Sequence, residues 1–301
     1  MSWVLLSVSS AVVLGIYELL KKLAVRDNAV PPVLFFGVLT GAVTWLLLRI
    51  ATPLLPVPWH DALSVDPLTF AGHAFLFAKA VLVSASWVFG YFALKHLPLT
   101  IAGPIRSTAP LWTILLAVLV LGESPGLWQW IGIAIILTAF YGFSLLGRVE
   151  GIVFHRDKWF ACLILATLLG AVSAIYDKYL LQSLGLGVAT LQFWFSIYLA
   201  VVLFPFVLIW RLALKDRGRF EWRWMIPVVG IALLIADAFY FAAIASDGAL
   251  ISVISPIRRT SVIIGFLGGV FVLKERLNLG WKSLCLGLML AGVILLNWKS
   301  H

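Results

Sequence analysis

The six residues GPIRST at positions 103–108 recur in altered form as SPIRRT at positions 255–260. Each stretch lies in an apolar segment and is followed, at the same distance, by an acidic end signal: VLGE at 120–123 and VLKE at 272–275. A further pair of motifs, IYE at 16–18 and IYD at 175–177, occurs in the same chain order. Matched motifs in matched order predict that the chain is an internal duplication with two related halves.

The composition around these motifs is that of a membrane protein. Hydrophobic residues make up 62% of the 301 residues, charged residues only 12%, and the mean hydropathy is +1.07. Soluble globular chains carry about 25% charged residues and cannot bury so much apolar surface. Since no hydrophilic stretch is long enough for a separate soluble domain, we expect one all-α membrane domain.

A bilayer core about 30 Å thick needs roughly 20 apolar residues per helix. This criterion predicts ten transmembrane helices, at 2–24, 31–52, 72–94, 99–122, 126–147, 159–182, 187–211, 224–246, 250–273 and 280–298. Five helices per half is an odd number, so the second half must enter the membrane upside down, as in many secondary transporters. The predicted organisation is a first five-helix repeat at 1–147, a connecting loop at 148–158 and an inverted second repeat at 159–301.

The net charge of +9 would suggest nucleic acid as the partner of a soluble protein. Here the basic residues gather in short connections on one side of the predicted bundle, so membrane topology explains them better and no nucleic-acid partner is expected. The positive-inside rule places that side in the cytoplasm and both termini outside. The predicted location is a multi-pass position in the plasma (inner) membrane, with the lipid bilayer as partner.

The stretch APLW at 109–112, running into LGE at 121–123 with Gly132 nine residues further on, is similar to a family pattern at the end of a fourth helix. Its second-half counterpart is FVLKER at 271–276. On these motifs the chain resembles the drug/metabolite transporter superfamily, specifically its ten-helix group with two EamA-like repeats. The resemblance spans the whole chain and implies a transporter fold without specifying the substrate.

Charged side chains inside spanning segments are unfavourable, so each is a candidate functional residue. Each half supplies one acid and one arginine at similar predicted depth, which gives the candidate pairs Glu18–Arg106 and Asp177–Arg258. In the functional interpretation the arginines contact an anionic substrate group, and the acids are exchangeable partners that close gates. In the alternative interpretation these are fixed ion pairs that only neutralise each other. Arg259 adds a positive charge that favours anions, or it snorkels near a helix end.

Asp237 is the deepest charge, about 18 Å into the predicted eighth helix by helical rise. It either titrates with transported protons, meets a cationic group, or is a hydrogen-bonded core aspartate. Tyr17, Tyr176 and Trp87 are candidate walls of a substrate cavity, although aromatic packing explains such residues equally well. Lys79 is a weaker candidate for substrate contact.

The sequence therefore predicts a secondary active transporter of a small anionic or zwitterionic metabolite, working by alternating access. Proton coupling or exchange for a counter-substrate would drive it. The alternative is a flippase for a phosphorylated lipid carrier. No enzyme activity, metal or cofactor is expected, because the sequence contains no HExxH, GxSxG, CxxC or P-loop motif.

Overall fold

The computed structural model describes residues 2–54, 56, 63–109, 111–112, 126–152, 156–212, 218–247, 249, 254 and 257–296. It is 82% helix, with no strand in these ranges. The ten α-helices found there are α1 Trp3–Val25, α2 Val30–Ala51, α3 Phe70–His96, α4 Leu99–Arg106, α5 Leu127–Val149, α6 Lys158–Lys178, α7 Val188–Leu212, α8 Met225–Ala245, α9 Ser261–Phe271 and α10 Leu279–Leu296. A π-helical turn, Tyr179–Ser183, extends α6.

Each predicted segment overlaps one of these helices, with end points that differ by up to two residues for α1, α2, α3, α5, α7, α8 and α10. Within the described ranges, seven helices (α1, α2, α3, α5, α6, α7 and α8) are long and apolar enough to cross a membrane, and the stretch Leu279–Leu295 of α10 is apolar but shorter. The helices α4 and α9 are shorter than the predicted segments 99–122 and 250–273, whose remaining parts include positions outside the described residues. Pro110, Glu123 and Pro256, all in the predicted motifs, also lie outside them.

Polar side chains bind the backbone where several helices begin. Thr69 accepts a hydrogen bond from Gly72 N at the start of α3, and Asp157 accepts bonds from Trp159 N and Phe160 N at the start of α6. At the start of α4 the acceptor is remote in sequence: Glu275 binds Leu99 N at 3.0 Å and Thr100 N at 2.8 Å. A carboxylate suits this position because it meets the positive end of the helix dipole. The acidic end signal of the second half thus caps the fourth helix.

Two of the long antiparallel helix pairs are α1–α8 and α3–α6. In the pair α1–α8, Arg223 Nη1 donates to Leu23 O, and Ser10 Oγ donates to Ala236 O. In the pair α3–α6, His96 stacks on Trp159 at 3.7 Å and Ser86 Oγ donates to Ala166 O. The central helices α2 and α7 pack on each other, α2 also packs on α8, and α7 also packs on α3. The remaining pairs are α4 with α9, α1 with α9 and α5 with α10.

These contacts bring the ends of α1, α3, α5, α7 and α9 to one end of the bundle, where the other five helices begin. We call this the basic end, because the predicted basic connections lie there. Three of its basic residues are buried in the bundle: Lys21 and Lys22, which belong to α1, and Lys282, which belongs to α10. Lys22 Nζ donates to Leu94 O and Leu97 O, so it holds the end of α3 rather than marking a loop.

Glycine permits a close approach of α2 and α8. A Cβ atom added to Gly230 would collide with the carbonyl of Gly37 and would lie 3.0 Å from Thr40 Cβ. Close backbone contact through small residues is the usual way in which helices associate in a bilayer, where the hydrophobic effect does not drive association. The contact therefore fixes α2 against α8 in the first half of each helix.

We expect Gly230→Ala to destabilise the folded protein by about 1–3 kcal/mol, because the added methyl group forces these backbones apart. The melting temperature of the purified protein measures the effect. Gly287→Ala is the matched control, since no atom lies within 4 Å of its added Cβ and alanine favours the helix. Equal melting temperatures for the two variants would show that the α2–α8 contact is not tight.

Candidate functional site

A cavity of about 150 Å³ lies at the centre of the bundle, lined by residues of α1, α3, α4, α6, α7, α8 and α9. Its lining carries seven charged side chains, which are Glu18, Lys79, Arg106, Asp177, Asp237, Arg258 and Arg259. Charge inside a membrane is costly and marks functional sites. The concentration of these groups around one cavity makes it the candidate site of the protein.

The first charged cluster lies toward the basic end, around Glu18. Arg106 Nη1 donates to Glu18 Oε1 at 2.6 Å, and Lys21 Nζ lies 2.6 Å from Glu18 Oε2. The Lys21 ammonium also lies 4.6 Å from the ring centroid of Tyr17 and 5.3 Å from that of Tyr91. The predicted contact between Glu18 and Arg106 is present. The lysine was not predicted as part of it, although its i,i+3 spacing from Glu18 on one helix was a usable signal.

The second charged cluster contains two separate ion pairs. Lys79 on α3 is bound to Asp177 on α6, and both side chains are buried. Arg258 Nη2 donates to Asp237 Oδ1 at 2.6 Å, and its guanidinium carbon lies 3.8 Å from the Tyr240 ring centroid. The predicted pair Asp177–Arg258 is therefore wrong. Because α3 packs along α6, it brings a buried lysine to Asp177, and α8 supplies another carboxylate to Arg258.

Aromatic rings surround the cations. Lys79 Nζ lies 4.4 Å from the ring centroid of Phe195 and 5.2 Å from that of Phe241, which are distances of cation–π contact. Tyr17 and Trp87 line the cavity, as predicted from the sequence. Tyr176 does not line it and is a second correction: its hydroxyl donates to Phe75 O, and its ring stacks on Tyr179 at 6.1 Å. Tyr17 and Tyr176 thus occupy different surroundings despite their matching motifs.

Arg259 differs from the other cavity cations. Within the described part of the chain no carboxylate forms an ion pair with it, and its buried Nε has no hydrogen-bond partner. The Nε of Arg258 is likewise buried and without a partner. Both arginines line the cavity. Buried donors are nearly always paired in native proteins, so these two positions call for an acceptor.

An all-helical bundle with several apolar membrane-spanning helices and a charged central cavity defines a multi-pass integral membrane protein with an interior polar site. Residues 1–145 match the EamA-like transporter family. The resemblance to the drug/metabolite transporter superfamily is thereby confirmed, and the family is one of membrane transporters of the drug/metabolite type rather than of enzymes. The predicted multi-pass location in the plasma membrane agrees with this family.

Similarity to solved structures extends over nearly the whole chain. One solved protein, described simply as the crystal structure of a protein, matches with a TM-score of 0.57 and 19% sequence identity. The match covers 95% of this chain and 96% of that one. At this identity the likeness concerns the fold alone. No curated protein matches the sequence.

Proposed function

We propose that the chain is a secondary active transporter of a small anionic or zwitterionic metabolite, which binds in the central cavity and is released by alternating access. The observation that carries the proposal is the concentration of seven charged side chains around a cavity inside a membrane bundle. Each charge at the bilayer centre is unfavourable by at least about 2.5–3.5 kcal/mol on insertion scales. A purely structural bundle would have little need for so many.

We further propose that the two halves, 1–147 and 159–301, are inverted repeats joined by residues 148–158. The pattern of helix pairs supports this. When each helix is replaced by the helix five positions away in the chain, the main packed pairs are obtained again. The antiparallel pair α1–α8 corresponds to α6–α3, and the pair α2–α8 corresponds to α7–α3. The pairs α2–α7, α4–α9 and α5–α10 each correspond to themselves. This is the symmetry of a two-fold axis in the membrane plane.

Gating follows from the two charged clusters. Helical rise places Glu18 and Arg106 each about 10 Å from the basic end, whereas Asp177 lies near the opposite end of α6. A substrate anion that replaces Glu18 on Arg106, or Asp237 on Arg258, would weaken the closure on one side of the cavity. Such an exchange is chemically matched, because carboxylate and phosphate oxygens form the same charged hydrogen bonds with arginine as the internal acids do. Proton uptake by Glu18, Asp177 or Asp237, or exchange for a second substrate, would drive the cycle.

Reconstitution tests the proposal. A thermal-shift screen of the purified protein against anions, amino acids and polyamines selects the ligand, and proteoliposomes then measure its uptake. We expect saturable, concentrative uptake driven by a proton gradient or by preloaded counter-substrate. Stabilisation by a polyprenyl phosphate alone, with lipid translocation and no uptake of any soluble ligand, would contradict the proposal and favour a lipid-carrier flippase.

A further inference from the structure

The three carboxylates of the cavity are already occupied. Both oxygens of Glu18 are bound, one by Arg106 and the other by Lys21. Asp177 holds Lys79, and Asp237 holds Arg258. Asp177 and Asp237 each use one oxygen for this contact. Among the described residues, the cavity therefore has no carboxylate that lacks a bound cation, and an ammonium group on a substrate would have to share one.

In contrast, basic side chains outnumber acidic side chains in the cavity. The lining contains three acids and four basic residues, and Lys21 adds a further positive charge against Glu18. Arg259 shares the cavity with two other arginines, Arg106 and Arg258. Arg259 therefore lies among like charges, and the carboxylates of the cavity are bound by other groups.

From this imbalance, and resting on the proposed transport function, we infer that Arg259 and the free Nε–H of Arg258 form an oxyanion-binding site. The substrate would then carry net negative charge and would not be a balanced zwitterion. The Nε–H and one Nη–H of a guanidinium form a fork that matches the two oxygens of a carboxylate or phosphate. In Arg258 Nη2 is bound by Asp237 and the buried Nε has no partner, which leaves the Nε–H for another acceptor.

The cavity also limits the size of the anion. Its volume of about 150 Å³ is similar to that of an engineered cavity that holds benzene, which has six non-hydrogen atoms. Val83, Trp87 and Phe195 form an apolar part of the wall. In this conformation the site fits a compact oxyanion of about six non-hydrogen atoms, with its charged end at Arg259 and an uncharged remainder.

The test compares wild-type protein with Arg259→Ala and Arg259→Lys, and uses Arg276→Ala as the control because Arg276 is exposed. The probes are pyruvate, acetate and inorganic phosphate as anions, glycine as a zwitterion and putrescine as a cation. We expect anions to raise the melting temperature of the wild type and of Arg276→Ala, and glycine and putrescine to leave it unchanged. Pyruvate against phosphate distinguishes a carboxylate from a phosphate site.

Loss of the Arg259 fork should weaken anion binding roughly 10- to 100-fold in Arg259→Ala, with partial recovery in Arg259→Lys. The ligand-free Arg259→Ala protein should melt at a higher temperature than the wild type, because like charges no longer repel. If Arg259 had only a structural role, the ligand-free Arg259→Ala protein would melt at a lower temperature than the wild type. The inference is overturned if Arg259→Ala melts lower and keeps full anion affinity, or if glycine or putrescine binds instead. Uptake of glycine or putrescine with normal Arg259→Ala activity would overturn this inference while leaving transport itself intact.

Discussion

Asp177→Ala is expected to lower the free energy of unfolding by about 3–5 kcal/mol, the range for breaking one side of a buried ion pair. The substitution leaves the Lys79 ammonium, whose side chain is 2% exposed, between Phe195 and Phe241 with no carboxylate in contact. Thermal unfolding in detergent, with the melting temperature converted to stability against the wild type, measures the effect.

Two further variants distinguish the loss of the Lys79–Asp177 ion pair from a general loss of stability. Lys79→Met combined with Asp177→Leu removes both charges, and well-packed apolar replacements of buried pairs are often neutral or stabilising. This double variant should recover most of the stability lost in Asp177→Ala. Glu221→Ala breaks the exposed contacts with Arg219 and Arg223 and should change stability by less than about 1 kcal/mol. If Asp177→Ala is as stable as Glu221→Ala, Lys79 does not depend on Asp177.

Arg106→Ala and Arg258→Ala are each expected to abolish uptake, by more than about 100-fold, while the protein still folds. Each variant leaves an acid partner, Glu18 or Asp237, that can bind a proton and become neutral, so folding should survive. Transport has no such alternative. In the proposed cycle the anion takes the place of the acid on the arginine, so without the arginine the anion has no binding partner. Lysine at either position restores the charge without the fork and should recover part of the activity.

The measurement is proteoliposome uptake of the anion selected by the thermal-shift screen, with each variant's melting temperature recorded alongside. Arg276→Ala again serves as the exposed control and should transport normally. Normal uptake by both Arg106→Ala and Arg258→Ala would show that these arginines are structural, and the gating proposal would fail with them.

Within the described residues, the ten α-helices follow the number and order predicted from the sequence, because apolar length is a property of each segment alone; seven of them are long and apolar enough to cross a membrane. The sequence also predicted the contact of Glu18 with Arg106, since the motifs that carry them recur in both halves. The partner of Asp177 was not predictable in this way. It depends on which helix packs along α6, and the lysine that α3 brings there belongs to no repeated motif.

Tyr176 shows the same limit of reasoning from repeats. Its motif matches that of Tyr17, yet Tyr17 lines the cavity and Tyr176 contacts Phe75 O and Tyr179. A π-helical turn begins at Tyr179 directly after α6, whereas α1 continues as a regular helix to Val25. Lys21 shows why a count of basic residues in loops does not predict their contacts. A lysine near the end of a helix can turn inward and pair with an acid one turn earlier. Local sequence identifies the charged groups, and tertiary packing decides their partners.

The most direct test of alternating access is the labelling of the cavity from its two ends. Ser107 and Ser173 both line it; by helical rise Ser107 lies about 12 Å from the basic end and Ser173 about 22 Å from it. Ser107→Cys and Ser173→Cys, each made in a Cys162→Ser, Cys285→Ser background, are labelled with a membrane-impermeant maleimide with and without saturating anion. We predict that the anion raises the labelling rate at one position and lowers it at the other. Rates that change in the same direction, or not at all, would contradict a cavity exposed alternately to the two sides.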